Sequence, residues 1–482
     1  MKMKRITLTL LLAAMLILTA CGSQSGTISD TAADADTVIE TEDTVNPLAD
    51  NLPEEDYGGY DFRIMSDNDY IFFIYAEELN GSQINDVLYE ANRAVEERYN
   101  IKLSQVVQST WTANQEVETP ILAGDDAFDT AFIHDIGAGN LSLKGLFINL
   151  YDMPYLDFSK PWWPSYTVDS LTLNGQMYLI SNYISYYGFH STRTIFFNRD
   201  MVNSYGLPSP YELVDNNEWT LDKLISMTKD VYDDKNGNGV VDKDDIYGFA
   251  MTVPYCLFEN FGFEAWGKTE DGSELFLDTY SDKTVALMDK LCDWLVSGRS
   301  VCFYSASHSD RYGDDSSNTW FSEGRVLYTY GAIGHLIKGL LTTETNYGIL
   351  PMPKTTETQT DYICACTELP GIIPITTKET DRTGMLIEAL SAESYRQVIP
   401  RYYEYALKGR YANDPESVKM LDIMFKNRVL SFSYIYGGGG SCFQQIVNNV
   451  LTNKGNFASY YESNKSKEEA RIAVVMEFFA KK

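Results

Sequence analysis

Hydrophobic and polar positions fall into three regimes along the chain. Residues 6–20 are a continuous apolar run behind a basic cluster of Lys2, Lys4 and Arg5, and from Gly22 to about Asp56 the chain is Ser, Thr, Asp, Glu and Ala with few large apolar side chains. Beyond that point the spacing is that of a folded α/β protein. Phe62-Arg63-Ile64-Met65 predicts a short strand, and Ile84, Val87, Leu88, Ala91 and Val95 repeat at helical spacing as far as Tyr99, with Asn100 as the stop. Residues 101–107 and 128–133 read as two further strands. Strand, helix, strand is the unit of a parallel sheet with flanking helices, and such sheets bind ligands beyond the carboxyl ends of their strands. Ser66, Asp67, His134 and Asp135 fall at those ends.

Further along, Thr220 is placed to cap a helix whose buried face is Leu221, Leu224, Ile225, Thr228 and Val231, and residues 246–250 read as a short buried strand. Helical spacing returns at 284–296. The carboxyl-terminal part is mostly helical, at 385–390, 398–407 and 417–425, ending in an amphipathic segment with Ile472, Val475, Met476 and Phe479. Gly437 to Gly440 interrupts it. Four glycines without a following Lys-Ser or Lys-Thr make a turn and not a phosphate loop, and a turn beside a cleft is the sharper reading.

The apolar run at 6–20 is shorter than the roughly 20 residues of a membrane-spanning helix and has the layout of a signal peptide. It ends in Leu18-Thr19-Ala20-Cys21, which resembles the lipobox of bacterial lipoproteins. That resemblance implies that Cys21 is lipidated and becomes the first mature residue; two acyl chains then tether the protein stably to a membrane surface. Residues 21–56 cannot bury enough apolar surface to offset their ordering entropy and read as a flexible linker. The roughly four hundred residues that remain exceed what one core supports, so two lobes are expected.

A formal net charge of -30 excludes nucleic acid and anionic membranes as partners. Six cysteines follow Cys21, namely Cys256, Cys292, Cys302, Cys364, Cys366 and Cys442, without the spacing of a disulfide framework. Cys364 and Cys366 lie on one face of a strand, either as metal ligands or as buried thiols.

The most particular spacing is Asp234-Lys-Asn236-Gly-Asn238-Gly239-Val240-Val241-Asp242-Lys-Asp244-Asp245. It puts oxygen donors at loop positions 1, 3, 5, 7, 9 and 12 and glycine at the sharp turn at 6, which is the register of an EF-hand calcium loop. Asp234, Asn236, Asn238 and Asp245 offer side-chain oxygens, Val240 its carbonyl, and Asp242 an oxygen directly or through water. Position 12 is Asp instead of Glu, so bidentate closure is in question, and a solvated acidic turn is the alternative. A helix precedes the loop and a strand follows it. Such a half-hand clips a domain and does not sense calcium.

Several segments taken in order carry a family resemblance: Ile195-Phe196-Phe197-Asn198-Arg199-Asp200, Tyr205-Gly206-Leu207, Trp219-Thr220-Leu221, the acidic loop, Tyr247-Gly248-Phe249, residues 347–353 (Tyr-Gly-Ile-Leu-Pro-Met-Pro) and Gly371-Ile372-Ile373-Pro374. The chain resembles the extracellular solute-binding proteins that feed bacterial ABC importers, in the branch that handles sugars and oligosaccharides. The resemblance implies a two-lobe, hinge-linked periplasmic-binding-protein-like α/β fold of type II with a helical carboxyl-terminal part. It implies a first lobe of residues 57–187 plus 346–378 and a second of 188–345 plus 379–482. It also implies a monomer outside the cytoplasm whose partners are a sugar ligand and permease subunits; structural Ca2+, read from the acidic loop, is the one cofactor expected.

The chain shows no case for catalysis. The histidines, His134, His190, His308 and His335, are scattered, with no His-Glu-x-x-His pair and no Gly-x-Ser-x-Gly elbow. Aromatic content stands out instead, with 34 Tyr, 23 Phe and 7 Trp. Aromatic faces pack on sugar rings while hydroxyls, indoles and carboxylates take the sugar hydroxyls. The candidates are Trp163, Tyr186, Tyr187, Trp266, Trp320, Tyr330 and Tyr434, each equally open to a core role. By the resemblance, Tyr330 lies over the bound sugar from the second lobe and Asp135 faces it from the first. A sensor-kinase receptor or peptide binder on the same fold, a surface carbohydrate-active enzyme, and a purely structural lipoprotein are the rival readings.

Overall fold

The computed structural model describes residues 46–251, 256–303, 317–334, 343–407, 414–438, 446, 449–451 and 456–481. The signal peptide, the linker as far as residue 45, Cys21 and Cys442 lie outside the described residues. The strands, in chain order, are β1 (Tyr60–Asp67), β2 (Ile101–Gln108), β3 (Thr130–Phe132), β4 (Arg193–Asn198), β5 (Tyr232–Asp233), β6 (Ile246–Met251), β7 (Trp266–Lys268), β8 (Leu275–Leu277), β9 (Val301–Phe303), β10 (Val326–Ala332), β11 (Tyr347–Leu350), β12 (Cys364–Ala365), β13 (Gly371–Ile372) and β14 (Arg428–Val429).

Two main sheets divide most of them. The first has the order β13-β3-β1-β2, with β1 parallel to both neighbours and β13 antiparallel at the edge. Its crossover helix is Gln83–Tyr99, which buries Leu88, Ala91, Val95 and Tyr99 and ends where Asn100 turns left-handed at φ 47°. A short amide side chain tolerates that conformation, so the stop read from sequence is a true cap. The second sheet runs β11-β4-β10-β6-β5, with β9 also paired to β6; β10 and β6 are parallel, while β4 runs against both of its neighbours. Phe62, Ile64, Leu103 and Phe132 fill the core of the first sheet, and Phe196, Tyr247, Phe249, Val326 and Tyr328 that of the second.

Two boundaries differ from expectation. The stretch from residue 346, expected in the first lobe, opens with β11, which pairs antiparallel with β4 in the second sheet, the Tyr347 ring stacked on Phe196 at 5.5 Å. The chain rejoins the first sheet only at β13. The stretch from 379, expected in the second lobe, opens with the helix Thr380–Glu393, which packs on Gln83–Tyr99, while Arg396 just beyond it pairs with Asp50. The carboxyl-terminal helices are in fact shared out. Pro415–Lys426 packs on β11, Phe457–Phe479 on β8 and the helix Asp282–Ser297, and Phe432–Tyr436 on the helix Asp135–Ser142. That last approach is close enough that a Cβ on Gly139 would strike the Ile435 carbonyl.

The passages between the sheets run side by side. The first is the helical turn Tyr187–Ser191 leading into β4; β12 and β14 pair in parallel to form the next two, Cys364 opposite Arg428 and Ala365 opposite Val429. Among the described residues no helix is long and apolar enough to cross a membrane, and Cys256, Cys292, Cys364 and Cys366 are free thiols.

Candidate functional site

Carboxyl ends of strands from both sheets supply the side chains of one seam. Tyr70 follows β1, Trp111 follows β2, and His134 and Asp135 follow β3. From the second sheet come Tyr330 near the end of β10 and Arg193 at the start of β4, where antiparallel pairing sets Arg193 opposite Ala332. The first passage adds Tyr187 and His190.

The rings pack into a wall. Trp111 sits edge-on to His134 at 4.1 Å and lies 5.6 Å from Tyr70; Tyr70 in turn is 5.6 Å from Tyr187, which meets Phe73 at 5.0 Å. Trp111 is 40% exposed and Phe72 46%, so the wall opens to solvent at one edge. Apolar ring faces flanked by polar groups suit a sugar-like guest.

Polar groups gather behind the rings. Arg193 is buried, with Cys256, Tyr330, Tyr187 and Tyr434 close enough to act on its charge, and Arg193 acts likewise on Asp135. Burial raises Asp135 to about 7 and lowers His134, 3.5 Å away, to about 4. Burial also raises Glu368 to about 7 and Glu259 to about 8. Several buried polar atoms at these strand ends have no hydrogen-bond partner: Ser66 Oγ, both ends of the Gln108 amide, and both Glu259 carboxylate oxygens. Such atoms are costly unless something supplies the missing bonds.

Of the residues expected from sequence, Asp135, Tyr187, Tyr330 and Tyr434 come together around Arg193. Tyr186 lies beside them, its hydroxyl donating to the Phe72 carbonyl at 3.1 Å and its ring on Tyr402 at 4.7 Å. Three tryptophans are built into the cores instead. Trp163 donates its indole N–H to Glu388 at 2.8 Å beside the same bond from Trp162, Trp266 donates to Glu468 at 3.4 Å, and Trp320 is fully buried against Tyr247. Arg193, Glu259, Tyr70 and Trp111 escaped the sequence reading. Tyr70 and Trp111 each follow a strand end by three residues, a signal that was available; Arg193 and Glu259 carried none.

The acidic loop is held by its own hydrogen bonds. Gly237 and Gly239 take positive φ of 67° and 73°, and Asp234 accepts from the amides of Asn238 at 3.2 Å and Gly239 at 2.7 Å. The side chains of Asn236 and Asn238 converge on Asp242, at 3.4 and 2.7 Å. Asp245 is fully buried, with one oxygen held by Tyr232 at 2.9 Å and the Asp242 amide at 3.0 Å, and the other without a partner. Among the described residues no three His, Cys, Asp or Glu side chains form a metal cluster. The loop's remaining donors are two amides and the Val240 carbonyl, and the orphan Asp245 oxygen fits a hard cation.

A cavity of about 640 Å³ lies elsewhere, lined by Asn198, Asp200, Gly324 and Thr345 at the opposite end of the second sheet from Arg193. Two others, about 520 and 570 Å³, adjoin beside Arg428.

No family model matches the sequence, and no curated protein does. Solved structures do. The maltose-bound MalE3 of T. maritima aligns over 88% of this chain and 99% of its own at 15% identity and a TM-score of 0.53. An ABC transporter solute-binding protein of Thermotoga lettingae bound with alpha-D-tagatose covers 86% and 100%, also at 15% identity, with a TM-score of 0.54. An ABC substrate-binding protein of Listeria monocytogenes in complex with cycloalternan covers 87% and 99% at 14% identity and 0.55. The fold is therefore the α/β fold of ABC-transporter solute-binding proteins, over nearly the whole chain.

Proposed function

We propose that this protein captures a sugar or short oligosaccharide in the seam between its two sheets and delivers it unchanged to an ABC permease. The observation that carries this is the aromatic wall of Tyr70, Trp111 and Tyr187 set beside the buried polar groups Asp135 and Arg193 at the ends of strands. Neighbours of the same fold hold maltose, tagatose and cycloalternan. The passages at Tyr187–Ser191, β12 and β14 serve as the hinge that opens the seam to a guest. Lipid on Cys21 tethers the protein outside the cytoplasmic membrane as a monomer, with residues 21–56 giving it reach to the permease.

Calcium in the loop from Asp234 to Asp245 is structural. Asp234, Asn236, Asn238, Asp242 and Asp245 would hold it by side chain and Val240 by its carbonyl, bracing the junction between the helix Leu221–Thr228 and β6.

Calorimetric titration of the soluble chain lacking residues 1–21 against mono- and oligosaccharides tests the reading. Heat from one sugar class, with the sugar recovered intact, is the expected result. Silence across the panel, or release of cleaved glycan, overturns it.

A further inference from the structure

Glu259 opens the helical turn Glu259–Phe261 that follows β6, at the carboxyl edge of the second sheet. It is 2% exposed, and neither of its carboxylate oxygens is bonded by another residue. The other carboxylates raised by burial are provided for. Glu264 accepts from Ser431 at 2.7 Å and Ser433 at 3.1 Å, Glu368 from Tyr166 at 2.8 Å, and Glu388 from two indoles. Asp135 accepts from the Ile136 amide at 2.8 Å. Glu259 alone among them takes no hydrogen bond from another residue, and it lies beside Tyr330 and Asn260, whose side chains meet at 3.3 Å.

A buried carboxylate that no other residue bonds is strongly unfavourable. Its place at the ligand edge of the sheet, within the field of Arg193 and Tyr330, gives it a use. We propose that Glu259 is the residue that selects the ligand: two adjacent hydroxyls of a neutral sugar ring donate one hydrogen bond to each of its oxygens. A sugar lacking either hydroxyl, or carrying a carboxylate in its place, is rejected. This rests on the sugar-binding reading above.

The charge state follows from the surroundings. The titratable groups around Glu259 are Glu264, Arg193, Cys256 and Tyr330, with Cys364 and Cys366 on and beside β12, which packs on the same turn. Burial, then Glu264, raise its pKa, and its own backbone amide and then Arg193 offset only part of this, leaving it at about 8 and mostly protonated at neutral pH. Two donated hydroxyls favour the carboxylate form. Binding at pH 7 therefore releases a proton to solvent.

The test is calorimetry on the full chain in detergent at pH 7, in phosphate and in Tris, using the sugar that the wild type binds and each of its monodeoxy analogues. Wild type is expected to show buffer-dependent heat from proton release, and two analogues lacking adjacent hydroxyls are expected to bind about 10- to 100-fold more weakly. Glu259→Gln is expected to bind the parent sugar more weakly by a similar factor, without buffer dependence, and to discriminate less between the analogues. Wild-type affinity and buffer dependence in Glu259→Gln overturn the assignment while leaving sugar binding intact. If that variant does not fold, the analogue series on wild type decides, and uniform affinity across it overturns the proposal. Failure of wild type to bind any sugar overturns the parent reading and this one with it.

Discussion

Ser191 and Thr367 grip each other from two different passages between the sheets. The Thr367 amide donates to Ser191 Oγ at 3.1 Å, and the same hydroxyl donates to the Thr367 carbonyl. Ser191→Ala removes both bonds and leaves a buried amide without an acceptor, at a cost of about 1–3 kcal/mol. Urea unfolding of the variant should show a lower midpoint at unchanged slope. An unchanged midpoint would mean that the passages do not depend on this contact.

Why some of this was readable in the sequence and some was not follows from the range of the interactions involved. β1, the helix Gln83–Tyr99 and β2 were legible because local spacing and a single Asn cap decide them. β11 was misplaced because its partners, β4 and the Phe196 ring, lie about 150 residues back along the chain, and no local pattern encodes that pairing. Asp135, Tyr187, Tyr330 and Tyr434 were reached through family likeness and aromatic content. The same content could not separate them from Trp163 and Trp266, whose fate is set by distant carboxylates, Glu388 and Glu468. A lone Arg before a strand has no spacing to betray it, which is why Arg193 went unseen.

Glu388 ties two indoles together in the core, so its replacement should read out as stability and not as affinity. Glu388→Gln turns one acceptor into a donor facing an indole N–H and should cost about 1–3 kcal/mol without changing sugar binding. A pH term accompanies it. Burial raises the carboxyl to about 7, so its contribution to stability is complete below the unfolded value near 4.5 and is lost as pH rises through about 7. The gap in melting temperature between wild type and variant should therefore narrow from pH 5 to pH 8. A widening gap would reverse the sign of this account.

Trp111 makes the opposite prediction. It is 40% exposed and touches the wall through Tyr70 and His134, so little of the core depends on it. Trp111→Ala should lower sugar affinity by a factor of about 2 to 10, the worth of an aromatic contact of about 0.5–1.5 kcal/mol, while the melting temperature of the ligand-free protein stays nearly constant. Titration of the variant beside wild type checks the first part and thermal scanning the second. Equal affinities would take Trp111 out of the site.

The buried Asp245 oxygen that finds no donor within the chain makes the calcium loop testable without any ligand. A cation bound there as proposed would satisfy it, and the folded form would then bind metal that the unfolded chain does not. At a free calcium concentration a hundredfold above the dissociation constant, this linkage adds about 2.7 kcal/mol to stability. Chelator should lower the melting temperature and added calcium restore it. Asp234→Ala should abolish that response, and because Asp234 also accepts the amides of Asn238 and Gly239, it should start from a lower baseline. Asp245→Asn keeps the shape of the side chain but removes its charge, so it should weaken the calcium response while retaining the Tyr232 contact. Metal analysis that finds no calcium, together with melting curves indifferent to chelator, would reduce the loop to a hydrogen-bonded acidic turn.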